Sequence, residues 1–192
     1  MSTGVKLTIT GYTEQAEHSV LSQAVWIAAF AGATALGARF EIAHSPVPYT
    51  LQTLFVLLAG AFLGPRNGAA SQILYISAGV LGAPVLSGGA LGIARLVGPT
   101  GGYLLSFPLA AATVGYLIYR RRSLLWSLTS MAAGLIVVFV CGTLYLYAVA
   151  LHNWSTAFQS GFLIFSWWDL VKLIAAATSY HEVAKRWPRL PA

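Results

Sequence analysis

Asp169 is the only aspartate in the chain, and Lys172 follows it three positions later inside a long apolar stretch. Positions i and i+3 share one face of a helix, so both charges point the same way. That way cannot be toward lipid, because a charge inside a bilayer is costly and normally faces a cavity or a partner. Two readings follow. The pair is a mutual salt bridge that holds a bundle together, or it is the polar end of a ligand site. An ion pair without a task is readily replaced by apolar packing, which favours the ligand site. A carboxylate accepts hydrogen bonds from N–H groups, and an ammonium favours an anion. With Arg95, a cation that has no acidic neighbour in sequence, the set suits a ligand with a carboxylate at one end and N–H groups at the other. An intramembrane enzyme using Asp169 as acid or base would need a second catalytic group. Lys172 is available for that role, but no nucleophile motif accompanies it. Trp168 adjoins Asp169 and is a candidate wall residue.

Other chemistry finds little support. There is no GxxxxGK[ST] phosphate loop, so the chain is not expected to hydrolyse ATP. His18, His44, His152 and His181 are scattered, without metal spacing, and no cofactor is expected. Of these, His44 stands next to the prolines before helix two, either lining a site or, as for each of the four, a solvated loop histidine. Cys141 is the single cysteine and lies in an apolar run, as a small buried hydrophobe would.

The elements that must position these residues are membrane helices. Charged residues make up 8% of the 192-residue chain and hydrophobic ones 57%, against roughly 25% charged in an ordinary soluble domain. This excludes a conventional cytosolic enzyme, a disordered chain and a nucleic-acid binder, despite the net charge of +6. Residues 18–38, 42–65, 67–94, 96–119 and 123–168 contain no Asp, Glu, Lys or Arg. A spanning helix needs about 20 mostly apolar residues. The last stretch is broken in its middle by the polar run His152–Thr156 and reads as two helices and a turn.

The expected fold is all-α: one integral membrane domain over 1–192, a compact six-transmembrane-helix bundle. Its expected helices run over 19–38, 50–63, 69–81, 102–119, 124–151 and 158–180. Residues 1–17 are a polar tail or surface helix, without the basic-then-apolar order of a signal peptide. Residues 185–192 are a basic tail. The first helix carries small residues four apart, Ala24, Ala28 and Gly32 on one row and Ala29, Ala33 and Gly37 on the next. Such rows let helices approach closely in lipid, either within the bundle or against another membrane protein. Pro46 and Pro48 stiffen the entry to helix two. Seven glycines and two prolines in 82–102 make a Gly-rich outer loop between helices three and four. Irregular backbone at that depth must cover protein or line a watery cavity. The Arg120–Arg122 triplet sets that turn inside, and by alternation both termini are cytoplasmic.

The segment Pro46–Gly60 (PVPYTLQTLFVLLAG) resembles the start of helix two in the BioY family, the biotin-binding S components of energy-coupling-factor (ECF) transporters. The resemblance continues through Leu63–Ala69, Gly82–Val85 with Gly88-Gly89, Gly98–Tyr103 (GPTGGY), and Asp169 to Lys172. The chain departs from the family's habit at Phe165–Trp168, where a Pro-Gly or similar loop is common. The resemblance implies six helices with the vitamin near the outer face under the loops. It implies a cell-membrane protein whose Asp169 and Lys172 match the family's polar pair, with Arg95 at a usually basic position. Biotin has a carboxylate on a flexible chain and a ureido group with N–H donors. Lys172 or Arg95 is expected to meet the carboxylate and Asp169 the ureido N–H, or the reverse. Tyr49, Gln52, Tyr103 and Trp168 are expected walls. The first-helix row Ala24, Ala28, Ala29, Gly32 and Ala33 would dock a transmembrane coupling subunit that works with two ATPases. A self-sufficient biotin channel or secondary transporter is the alternative.

Overall fold

The structure, a computed structural model, describes residues 7–89, 92–121, 123–163 and 167–186, with side chains described within 20–185. Lys6, Arg122, Phe165 and the tail over 187–192 lie outside the described residues.

Helix α1 (Leu7–Arg39) begins well before the expected start at Ser19. The polar stretch over 7–17 contains no proline, so nothing in it forbids the helix from extending back. A two-residue ribbon follows, β1 (Glu41–Ile42) against β2 (Tyr49–Thr50), antiparallel with Glu41 opposite Thr50. The proline loop closes this ribbon.

The expected helices two and three form one assigned element, α2 (Gln52–Val80), broken at Gly64 with φ 79° and ψ −176°. Only glycine adopts that conformation freely, and Pro65 then has the fixed φ favoured at the first position of a new helix. A turn expected to need residues 64–68 is therefore made around one glycine. The halves fold back so tightly that a Cβ on Gly68 would lie 2.9 Å from the Gly60 Cα.

A loop containing a 3₁₀ turn at Ser87–Gly89 and the short helix α3 (Ala94–Val97) leads to α4 (Gly101–Ile118). Helix α5 (Leu124–Leu146) ends in a π-helical turn, Tyr147–Leu151, at His152 with φ 48°. Asn153 caps the short helix α6 (Trp154–Ala157) by accepting from the Thr156 N–H at 3.0 Å. A second π turn, Phe158–Phe162, precedes α7 (Trp167–Arg186). Within the expected helix over 158–180, the described stretches Trp154–Phe162 and Trp167–Lys185 lie at 46° to each other, and 164–166 between them lie outside the described residues. Asp169 stands in the first turn of α7, not deep within a helix. There the helix dipole favours a carboxylate.

Among the described residues three helices are long and apolar enough to cross a membrane, Val20–Arg39, Gly101–Ile118 and Leu124–Leu151, or four if the bent pair counts as one span. The halves of α2 rise only about 18 and 24 Å, short of a full hydrocarbon core. Leu21, Val25, Leu109, Ile136 and Ile174 are well exposed, as lipid-facing side chains would be. Inside, α2 and α4 cross so closely that a Cβ on Gly60 would stand 2.3 Å from the Ala111 carbonyl oxygen, and one on Gly115 2.5 Å from Gly64. Small residues permit this approach. One core cluster gathers Tyr75, Leu86, Tyr103, Phe107 and Phe139, and a second gathers Leu57, Val114, Met131, Leu173 and Ala176.

Candidate functional site

The start of α2, the first half of α4, the second half of α5 and the head of α7 line a cavity of about 60 Å³. Its apolar walls include Val47, Pro48, Leu104, Phe107, Val138 and Phe139. Its polar groups are Tyr49, Thr50, Gln52, Thr53, Ser87, Thr100, Tyr103, Asp169 and Lys172.

The charged pair lines this cavity and is also bonded to itself. Lys172 Nζ lies 2.6 Å from Asp169 Oδ1, with side chains 6% and 4% exposed. Lys172 donates further to the Thr50 carbonyl at 3.0 Å and to Thr53 Oγ1 at 2.8 Å. An ammonium has three N–H donors, so all three are engaged. The two readings of the pair are therefore not exclusive: it pins α7 to the start of α2 and it presents charge to the cavity.

Gln52 is held from both sides. Its side-chain amide N–H donates to the Tyr75 hydroxyl, and its Oε1 accepts from Thr50 Oγ1 at 2.9 Å. Tyr75 in turn donates to the Val85 carbonyl at 3.2 Å. A chain of bonds thus links the loop after α2 through Tyr75, Gln52 and Thr50 to Lys172. Each member is buried, and a buried polar group left without a partner would be costly.

Five of the seven residues named from sequence meet at this cavity: Tyr49, Gln52, Tyr103, Asp169 and Lys172. The Tyr103 ring faces it, while the Tyr103 hydroxyl donates to the Gly161 carbonyl at 3.0 Å. Arg95 lies in a neighbouring open recess with Glu41, His44 and Pro46. It donates to Ser87 Oγ at 2.7 Å, and Ser87 lines the main cavity. The Arg95 Nε is buried without a hydrogen-bond partner. His44 is exposed and tilts against Tyr49, ring centres 5.2 Å apart. Trp168 is half-buried, edge-on to Trp167 at 5.7 Å, and is outside the cavity's described lining. Among the described residues no group of three His, Cys, Asp or Glu is placed to hold a metal.

Sequence reasoning missed Thr50, Thr53, Ser87 and Thr100. A signal for the first two existed: they are hydroxyls at the head of an apolar helix that also carries Gln52. Phe107, Val138 and Phe139 carried none, since apolar residues in apolar runs read as core.

On α1, Ala24, Ala28 and Gly32 are exposed, and no atom lies within 4 Å of where a Gly32 Cβ would be. The second row winds inward: Ala29 is exposed, Ala33 half-buried and Gly37 buried, where a Cβ would meet Phe55 at 2.8 Å.

A family model described as the BioY family matches residues 9–189. The "Biotin transporter BioY" of Thermotoga maritima is 38% identical over 148 residues, 77% of this chain and 87% of that protein. The "Probable biotin transporter BioY" of Lysinibacillus sphaericus is 43% identical over 156 residues, 77% of this chain and 78% of that one. Among solved structures, the S-component for biotin from an ECF-type ABC transporter superposes with a TM-score of 0.80. It is 24% identical, with 88% of this chain and 93% of that chain covered, and shows the shared fold.

Proposed function

The chain belongs to the BioY family, and from that membership we propose that it is the substrate-binding S component of an ECF-type biotin transporter. It captures biotin at the outer side of the cell membrane and hands it inward when docked to a transmembrane coupling subunit and two ATPases. The observation that carries this reading is the cavity itself. Apolar walls surround a buried Asp169–Lys172 pair at a helix head, and hydroxyl groups stand beside it. A vitamin with an apolar chain, a carboxylate and a polar ureido ring fits that mixture.

The donor inventory guides the placement of the ligand. Lys172 has its three N–H groups engaged, whereas Arg95 keeps a buried Nε without a partner and reaches the cavity's edge through Ser87. Arg95 is therefore the readier partner for the carboxylate. Asp169 accepts from the ureido N–H, and Lys172 holds Asp169 in place. Tyr49, Gln52 and Tyr103 form walls.

In this reading the six expected crossings comprise α1, the two halves of α2, α4, α5 and the bent α6–α7 pair, and the Gly-rich loop lies outside. Arg120 and Arg121 mark the cytoplasmic side, with both termini. The exposed row Ala24, Ala28 and Gly32, with Ala29, is the docking face for the coupling subunit. Its outward position on α1 supports this use over packing inside the bundle.

The test is calorimetry and flux on one preparation. The purified chain should bind biotin by itself. Vesicles carrying it should take up biotin only after the coupling subunit and ATPases are added. Absence of binding heat would refute the reading, and uptake by the chain alone would favour a self-sufficient transporter.

A further inference from the structure

Two cavities meet at Phe139. On one side is the cavity just described. On the other, an apolar recess of about 360 Å³ lies between α5 and α7. Its described lining is Ala132, Leu135, Ile136, Phe139, Phe162, Leu163 and Leu173. Ile136 and Leu163 are 54% and 60% exposed, so the recess opens on the apolar outer surface of the bundle. Phe139 alone is common to the two described linings. Neighbouring residues divide accordingly: Val138 and Lys172 face the first cavity, and Leu173 the second.

The partition is a built one. The Phe139 ring is 7% exposed and stands edge-on to Tyr103 at 6.4 Å and to Phe162 at 6.3 Å. Tyr103 is fixed in turn. Its hydroxyl is tied to Gly161, and its ring presses on α5 where a Cβ on Gly142 would meet it at 2.3 Å. Aromatic edges of this kind hold a geometry as well as an area.

We propose that Phe139 is a specificity-determining residue, the wall that closes the ligand cavity on its lipid side and so excludes ligands carrying an apolar tail. This rests on the biotin-binding reading above. Shortening the side chain joins the two spaces, and a tail can then run from the polar cavity into the recess. The ligand's orientation does not matter to the test if both ends are probed. One probe is the octylamide of biotin, tailed at the carboxyl end. The other is biotin carrying an octyl group on a ureido nitrogen.

Competition against tritiated biotin is measured for the parent chain, Phe139→Ala and Phe139→Leu. The parent should bind biotin and reject both probes. In Phe139→Ala the preference for biotin over one of the probes should narrow by about tenfold or more, the scale at which a pocket distinguishes added apolar groups. Phe139→Leu should show a smaller narrowing. If either variant binds biotin yet discriminates as the parent does, the proposal is overturned. It is equally overturned if both variants lose biotin, since Phe139 would then shape the cavity rather than bound it. Failure of the parent chain to bind biotin would strike the underlying reading instead, a separate result.

Discussion

Replacing Lys172 with methionine should destabilise the fold by about 3–5 kcal/mol, the usual cost of leaving one member of a buried ion pair behind. The structure explains why the cost is at the scale of a buried pair. The Asp169 carboxylate is 2.6 Å away with its side chain 4% exposed. Two further acceptors, the Thr50 carbonyl and Thr53 Oγ1, lose their donor at the same time. Methionine fills the stem's volume and adds no charge, so the loss is electrostatic rather than a cavity. The companion change Asp169→Asn strands the ammonium instead and should also destabilise.

The double variant separates the two roles of the pair. With both charges gone the fold should recover most of its stability, because a buried ion pair replaced as a unit is often neutral or stabilising. Biotin binding should not recover. It should stay weaker by about 1–3 kcal/mol, or about 5- to 150-fold, the cost of a lost charged hydrogen bond. Thermal unfolding of the purified protein reads the first quantity and titration calorimetry the second. A double variant that binds biotin like the parent would refute the ligand role and leave the pair as a brace. One as unstable as the singles would refute the electrostatic argument.

Three other outcomes are expected. Tyr75→Phe removes a hydroxyl that accepts from Gln52 and donates to Val85, so stability should fall by about 1–3 kcal/mol with a matching drop in unfolding temperature; an unchanged midpoint would mean that the chain of bonds carries no weight. Gly60→Ala places a methyl 2.3 Å from the Ala111 carbonyl oxygen, and prising α2 from α4 should cost about 1–3 kcal/mol, again read by thermal unfolding. Gly32→Leu, where no neighbouring atom blocks a side chain, should leave biotin affinity intact while reducing co-purification with the coupling subunit; loss of biotin binding with assembly preserved would place the row in the bundle.

The chain's local patterns were legible before any coordinates. Five uncharged stretches located the apolar helices, because the hydropathy of a segment depends on its own residues. The i, i+3 spacing put Asp169 and Lys172 together, because helix geometry alone decides which residues share a face. Gly64-Pro65 announced a reversal, though the five-residue turn expected there shrank to one glycine. The departure from the family's pattern at Phe165–Trp168 did not say where the last helix starts, and α7 from Trp167 puts Asp169 in a first turn and not mid-helix. Trp168 looked like a wall because it adjoins Asp169, but neighbours on a helix point about 100° apart, and its ring turns to Trp167 instead.

Sequence by itself determined that the chain is largely apolar helix and that Asp169 and Lys172 share one helix face. Tertiary structure decided what that pair meets. Lys172 reaches Thr50 across 122 positions and Tyr103 reaches Gly161 across 58. No periodicity encodes such contacts, since they arise from how helices pack after each has formed. The same packing set Phe139 between two spaces, a position that an aromatic in an apolar run does not disclose.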